Sequence, residues 1–205
     1  MRSWHEGARE RTTALPTPID RFTTLMARAK AAGEPLAEAM ALATADEAGN
    51  PSVRMVLLKG ADERGFVFFT NLDSRKAREL RARPRASLCF HWALIEEQVR
   101  VEGAVEPLPP EEADAYFGTR PRGSQLGAWA SRQSQPLGDR EELVRAVAEV
   151  GKRFEGQEVS RPPFWSGFVV RPERIEFWSG QPDRLHDRFV CTKEGDAWSE
   201  QRLYP

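Results

Sequence analysis

The run AMALATADEAGNPSVRMVLLKGADERGFVFFTN, Ala39 to Asn71, decides the fold. It reads as three strands joined by two turns, DEAGNP and ADERG. Upstream, a helical pattern begins at Pro18: Phe22, Leu25, Met26 and Ala29 recur at helical spacing, and AAGEP stops the run. Residues 1–17 are polar and irregular and read as a flexible N-terminal arm, which leaves 18–205 as a single domain. Downstream of Asn71 comes a short basic helix, SRKARELRARP, then two more strand candidates, ASLCFHWAL and QVRVEGAVEPL.

A helical block follows over about 110–155. PEEADAYFGTRP opens with proline and acids, as a helix N-terminus prefers. GDREELVRAVAEVGKRF carries Leu143, Ala146, Val147, Val150 and Phe154 on one face. The chain closes in strands, GFVVRP, RIEFWSG, RLHDRFVCTK and AWSEQRLYP, with KEGDAW as a hairpin turn. Short strands at close spacing with helices between them predict an α+β, mainly β protein: a β-barrel with peripheral helices. Strands and helices do not alternate as βαβ units, and no glycine-rich dinucleotide fingerprint follows a strand.

The 205 residues can bury a sizeable core without staples. Acidic and basic residues nearly cancel, at −1 overall, which argues against a broad nucleic-acid or membrane-surface role. No apolar run approaches the length of a membrane span. Cys89 and Cys191 are too few for a disulfide framework and read as small buried residues of a reducing compartment. The first residues, MRSWHEGARERTTALP, lack the apolar centre of a signal peptide, so a cytoplasmic location is expected. His5, His91 and His186 stand at no metal-ligand spacing with a cysteine, and no nucleophile-elbow motif is present, so neither a metal centre nor a serine hydrolase is expected.

Anion binding is suggested at several places instead. In TNLDSRKAREL, Asp73 or Ser74 can cap a helix that begins with Arg75 and Lys76. Two cations in the first turn oppose the helix dipole unless an anion sits there. A solvated basic helix, with Arg78, Arg81, Arg83 and Arg85 as its further charges, accounts for the same residues equally well. In RMVLLK, Arg54 and Lys59 are five apart and so expected on opposite faces of one strand. Tyr116 and Arg120 neighbour each other on a helix, and Arg120, Arg122 and Ser124 surround a proline turn; together they suit a phosphate. Gln133 and Ser134 add donors in a loop. Finally, in QPDRLHDRF, a strand would place Arg184, His186 and Arg188 on one face beside Trp178, with Leu185 and Asp187 on the other and Leu185 directed into the barrel wall. A flat aromatic wall beside cations suits a planar anionic ligand. A polar edge strand facing water is the plainer reading of that pentapeptide.

Taken in order, RMVLLK, FTNLDSRKA, QVRVEG, YFGTRPRGSQLGAWAS, RQS, FWSGF, IEFWSG, RLHDRF and the closing RLYP resemble the pyridoxine/pyridoxamine 5′-phosphate oxidase family, over about residues 40–205. The resemblance implies an FMN-binding split β-barrel and a homodimer with FMN at the subunit interface. It implies FMN contacts at Arg54, Met55, Val56, Leu57, Leu58, Lys59, Phe69, Thr70, Arg75, Lys76, Gln98, Gln133, Ser134, Trp178 and Arg188. It places the substrate and its phosphate at Lys59, Tyr116, Arg120, Ser124, Arg184 and His186, with Arg184 and His186 at the reacting side. The implied reaction converts pyridoxine or pyridoxamine 5′-phosphate to pyridoxal 5′-phosphate while O2 becomes hydrogen peroxide. Three departures stand out: Arg2 and Trp4 are the nearest match to a covering arm, Ser179 follows Trp178, and QPD precedes RLHDR where the family is often glycine-rich. Rival readings are a related split-barrel flavin oxidase of phenazine-pathway type, a non-enzymatic carrier of pyridoxal phosphate, and an RNA-binding barrel; neutral charge and the lack of an aromatic strand platform weigh against the last.

Overall fold

The computed structural model of the chain describes residues 17–205. Arg2, Trp4, His5 and the rest of the expected arm lie outside the described residues, except Thr17, which is the N-cap of the first helix. Its side chain accepts from the Asp20 N–H while Asp20 accepts from the Thr17 N–H, a reciprocal capping box. The elements in chain order are α1 (Pro18–Ala31), β1 (Ala39–Ala45), β2 (Pro51–Leu57), β3 (Gly60–Asp62), β4 (Gly65–Asn71), α2 (Arg75–Ala82), β5 (Arg85–Trp92), β6 (Glu97–Pro107), α3 (Pro110–Thr119), α4 (Arg122–Ala130), α5 (Arg140–Arg153), β7 (Trp165–Ser179), β8 (Asp187–Glu194) and β9 (Ala197–Leu203). The strands form one antiparallel sheet in the order β2-β1-β5-β6-β7-β4-β3, with β8 on β7 and β9 on β8.

β7 explains why the barrel is split. One edge pairs with β6 along its length. The other edge pairs with β4 over Trp165–Val170 and with β8 over Arg174–Ser179. GFVVRP and RIEFWSG, which read as two strands, are therefore one. Pro172 is tolerated inside it because it faces Gly103 at the β-bulge, where the ladder is already interrupted. A side chain at Gly103 would place its Cβ only 1.8 Å from the Arg171 carbonyl oxygen, so the close approach there requires glycine.

The register defines two faces. Leu42, Leu88, Val101, Ile175 and Cys191 stand in one row across β1, β5, β6, β7 and β8, and all are buried. α1 covers this face: Phe22 is fully buried and meets Phe66 and Phe90 edge-on, each at 4.8 Å between ring centroids. The next row, Met55, Ala41, Cys89, Arg100, Glu176 and Val190, faces the other way. On that outward face Val53 and Met55 of β2 are 68% and 64% exposed. Cys89 is half-buried rather than buried as expected, since it belongs to this row. Burial, with Glu200 beside it, pushes the Cys191 thiol up to about 11, so that thiol is inert at neutral pH.

The deciding run holds four strands, not three. β2 stops at Leu57, the Leu58 N–H donates to the Glu38 carbonyl, and the Lys59 N–H donates to Val67 as the chain crosses to β4. Leu58 continues the inward alternation of Arg54 and Val56, which pair with the buried Leu42 and Met40, and packs in the core.

Candidate active site

The cleft at this edge of the sheet takes side chains from both faces of β2, which corrects the expectation that Arg54 and Lys59 serve different sites. They line the same cleft, of about 320 Å3, together with Met55, Val56, Leu57, Phe69, Thr70, Lys76, Tyr116, Arg120 and Gln133. Leu58 is the one member of the 54–59 run that contributes only to the core.

One pole of the cleft is built by α2. Ser74 caps the helix, accepting from the Ala77 N–H, so of the two expected caps it is the serine that serves. This brings Lys76 against Thr70 and Gln133, with its Nζ 3.1 Å from Thr70 Oγ1 and 2.7 Å from Gln133 Oε1. Arg75 is tied to the 133–134 loop through its N–H, which donates to Ser134 Oγ at 3.1 Å; Ser134 itself has a left-handed backbone, φ 68°. Lys76 makes no ion pair among the described residues. Burial, then the neighbouring Arg54 charge, lowers its pKa to about 8 against a smaller opposing pull from Glu79. Glu79, on the next turn of α2, is 5% exposed. Burial alone would raise its pKa, but hydrogen bonds from Ser52, Thr44, Arg75 and Arg54 outweigh that and hold it at about 2.

The other pole is aromatic and cationic. Phe69 stacks on Tyr116 at 4.1 Å and on Trp165 at 5.2 Å, nearly parallel to both. The Arg120 guanidinium lies over Trp165 at 4.8 Å. Burial lowers the Arg120 pKa, and its Nη1 is the single buried side-chain polar atom without a partner among the described residues. An unpaired buried guanidinium nitrogen is costly unless a ligand satisfies it. Ser124 is exposed on the first turn of α4 and does not line the cleft; Arg122 is structural, donating to the Phe154 and Gln157 carbonyls.

The remaining expected residues form a second group that does not line this cleft. Gln98, Trp178 and Arg188 are adjacent in register across β6, β7 and β8, on the outward face of the sheet. The His186 ring is 4.6 Å from Trp178, and its Nδ1 accepts from the Gln181 N–H at 3.1 Å. Arg188 Nε and Nη2 donate to Glu176 Oε1 at 3.0 and 2.8 Å.

RLHDR is not one strand. Pro182–Arg184 is a 3₁₀ turn, and β8 begins only at Asp187. Asp183 and Arg184 both have left-handed backbones, φ 57° and 63°. The alternation expected for Arg184, His186 and Arg188 therefore fails, and Leu185 is 70% exposed rather than in the barrel wall. The proline fixes a turn that the pentapeptide's own spacing does not reveal. Asn71 and Trp165, which line the cleft, and Glu79, beneath it, were not singled out as site residues. Asn71 Nδ2 donates to the Ser131 carbonyl and so ties β4 to the loop that carries Gln133.

No helix among the described residues is long and apolar enough to cross a membrane. A sequence profile described as pyridoxamine 5′-phosphate oxidase matches residues 28–154, and one described as the pyridoxine 5′-phosphate oxidase C-terminal dimerisation region matches 165–205. A pyridoxine/pyridoxamine 5′-phosphate oxidase of Anaeromyxobacter dehalogenans is 64% identical over 94% of this chain and 98% of its own length. That of Rubrobacter xylanophilus is 58% identical over 94% of this chain and 88% of its own. Among solved structures, PhzG from Burkholderia lata, in complex with tetrahydrophenazine-1-carboxylic acid, superposes with a TM-score of 0.88 at 33% identity, covering 94% of this chain and 95% of that one. An FMN binding protein from Nostoc punctiforme, at 15% identity and a TM-score of 0.75, covering 92% of this chain and 98% of its own, shares the fold.

Proposed function

The chain belongs to the pyridoxine/pyridoxamine 5′-phosphate oxidase family, and on that premise we propose that it oxidises pyridoxine 5′-phosphate and pyridoxamine 5′-phosphate to pyridoxal 5′-phosphate with FMN as cofactor. The alcohol loses two hydrogens to O2, giving hydrogen peroxide; the amine does so with water and releases ammonia as well. The observation that carries this reading is a cleft with two cationic poles joined by an aromatic wall, one pole holding a half-buried Lys76 without an ion pair and the other Arg120 Nη1 without a partner among the described residues. Two phosphate esters meeting at one site, cofactor and substrate, account for both.

The donors fit FMN. Arg54, Arg75, Lys76, Thr70 and Ser134 would hold its phosphate, and Gln133 would add an amide. Bound there, the flavin supplies the two-electron redox chemistry. Lys59, Tyr116 and Arg120, which line the cleft, would hold the substrate phosphate; these contacts fix the substrate's orientation. Arg184 and His186 would face the reacting carbon. With Nδ1 of His186 occupied by the Gln181 N–H, Nε2 is the nitrogen left to meet the substrate.

We infer a homodimer with FMN between the subunits. The outward sheet face carries Val53 and Met55 exposed at its β2 edge and the expected ligands Gln98, Trp178 and Arg188 further across it, and exposed apolar side chains of this kind suit burial against a partner. The second group would then complete the partner subunit's cleft.

The direct test is purification followed by identification of released flavin and by peroxide measurement. The expected result is a yellow dimer that forms equal amounts of pyridoxal 5′-phosphate and peroxide from pyridoxine 5′-phosphate. FMN-loaded protein inert towards both vitamin phosphates would overturn it. Oxidation of a reduced phenazine carboxylic acid instead would favour the second reading, which the likeness to PhzG supports. Binding of pyridoxal phosphate without peroxide would indicate a carrier.

The site also predicts a pH dependence. Lys76 binds phosphate as the ammonium, and a bound phosphate raises its pKa from about 8. FMN affinity is therefore full below about pH 8 and falls as pH rises above it, by up to about tenfold per unit until the bound-state pKa is reached. The phosphate's own ionisation lies lower, near about 6, and leaves this window clear. Flavin fluorescence titrations from pH 7 to 9.5 should show the fall in wild type and its absence in Lys76→Met; a flat wild-type profile would contradict the assignment.

A further inference from the structure

We propose that Glu79 is a positioning residue for the cofactor phosphate, a single buried carboxylate that aims the guanidinium groups of Arg54 and Arg75. The inference rests on the FMN reading above and extends it to a residue that does not line the cleft. Glu79 gathers three elements. Its Oε2 accepts from Thr44 Oγ1 of β1 at 2.5 Å, from Ser52 Oγ of β2 at 2.7 Å and from Arg54 Nη2 of β2 at 3.1 Å. Its Oε1 accepts from Arg75 Nε, one helical turn earlier, at 2.7 Å. Arg54 is clamped further by Ser52 Oγ at 2.6 Å and the Leu42 carbonyl at 3.2 Å.

The arrangement does more than attach α2 to the sheet. Arg75 is 58% exposed and Glu79 5%, so the carboxylate lies beneath and the cation above. Only the Nε edge of Arg75 is engaged, which leaves its two terminal nitrogens free of protein partners among the described residues. Three cations, Arg54, Arg75 and Lys76, against one carboxylate leave a surplus of two positive charges. That matches a phosphate monoester, which carries about −1.5 to −2 at neutral pH. Glu79 also opposes the effect of burial and of Arg54 on Lys76, so it favours the ammonium form. A carboxylate that served only to pack α2 would have no reason to govern a phosphate preference.

Riboflavin lacks the phosphate, so the ratio of FMN to riboflavin affinity reads this end of the ligand alone. In apo-protein at pH 8, Glu79→Gln is expected to lower FMN affinity at least tenfold and to change riboflavin affinity less than twofold. The pH midpoint of FMN binding should move below its wild-type position. Glu79→Asp keeps the charge but withdraws it by one methylene, and should lower the ratio three- to fivefold with the midpoint unmoved. An unchanged or raised ratio in Glu79→Gln, or equal losses for both flavins, would overturn the proposal and leave Glu79 as packing. Should the glutamine variant fail to fold, the aspartate variant decides alone, and a wild-type ratio there overturns it. Wild-type protein that binds no FMN brings down the functional reading with it, whereas FMN binding with a ratio indifferent to Glu79 brings down only this inference.

Discussion

The Arg75→Ala/Lys76→Ala double variant is expected to bind FMN about 10²- to 10⁴-fold more weakly than wild type while its apo-form melts within a few degrees of it. The affinity loss follows from two charge-assisted contacts of roughly 1.5–3 kcal/mol each, at about 1.4 kcal/mol per factor of ten. The small effect on folding follows from the sign of the Lys76 shift. Its pKa is lowered in the folded chain, to about 8, so folding disfavours the ammonium at neutral pH and removing it relieves that cost. Arg75 is more than half exposed, and Glu79 keeps Arg54, Ser52 and Thr44 when Arg75 is gone. Isothermal titration with FMN and with riboflavin, beside thermal melts of the apo-protein, gives the answer. An FMN dissociation constant within threefold of wild type would show that the first turn of α2 does not carry the phosphate.

Much of this site was legible because its signals are local. A serine before two cations marks a capped helix start whatever the fold around it, and Ser74, Arg75 and Lys76 stand as that pattern implies. Strand texture over Ala39–Asn71 is equally local. Local signals do not carry where a strand ends or how a cleft meets its edge. RMVLLKG keeps its alternation through Leu58, but nothing in it announces that β2 is an edge strand whose two faces both meet one cleft, which puts Arg54 and Lys59 together. In QPDRLHDRF a period-2 reading runs across a proline turn with two left-handed residues, so it turns Leu185 inward although Leu185 is exposed. Glu79 is hidden from the sequence for a different reason. In sequence it is an ordinary helical glutamate, and only the folding of β1 and β2 beneath α2 surrounds it with donors. Most residues that the family resemblance implies as ligands gather into two groups, Leu58 and Ser124 excepted, but the resemblance is silent on the carboxylates beneath them.

Glu176 is the second such carboxylate, and its removal is expected to have the largest effect on stability. It is 2% exposed, on the outward face of β7, and is covered by arginines. Arg188 donates to it twice, Arg174 lies 3.3 Å from it and Arg100 3.7 Å. Glu102 holds Arg100 and Arg174 as well, at 3.0 and 3.1 Å, so those two keep a partner in Glu176→Ala. Arg188 keeps none but the Tyr204 carbonyl. Breaking a buried ion pair from one side costs about 3–5 kcal/mol, and since Arg188 is 26% exposed the lower end applies. For a chain of this size that is roughly 6–12 °C in melting temperature. Glu173→Ala is the matched control: Glu173 pairs with Arg85 at 2.6 Å, but both side chains are at least half exposed, so the shift should stay within about 3 °C and vanish in 1 M salt. The Glu176 effect should persist in salt, because a covered pair is poorly screened. Melts belong at one protein concentration, since dissociation of the proposed dimer would make the midpoint concentration-dependent. Equal shifts for the two variants, or a Glu176 effect that salt abolishes, would mean that the arginine cluster is a solvated surface and not a support for Arg188.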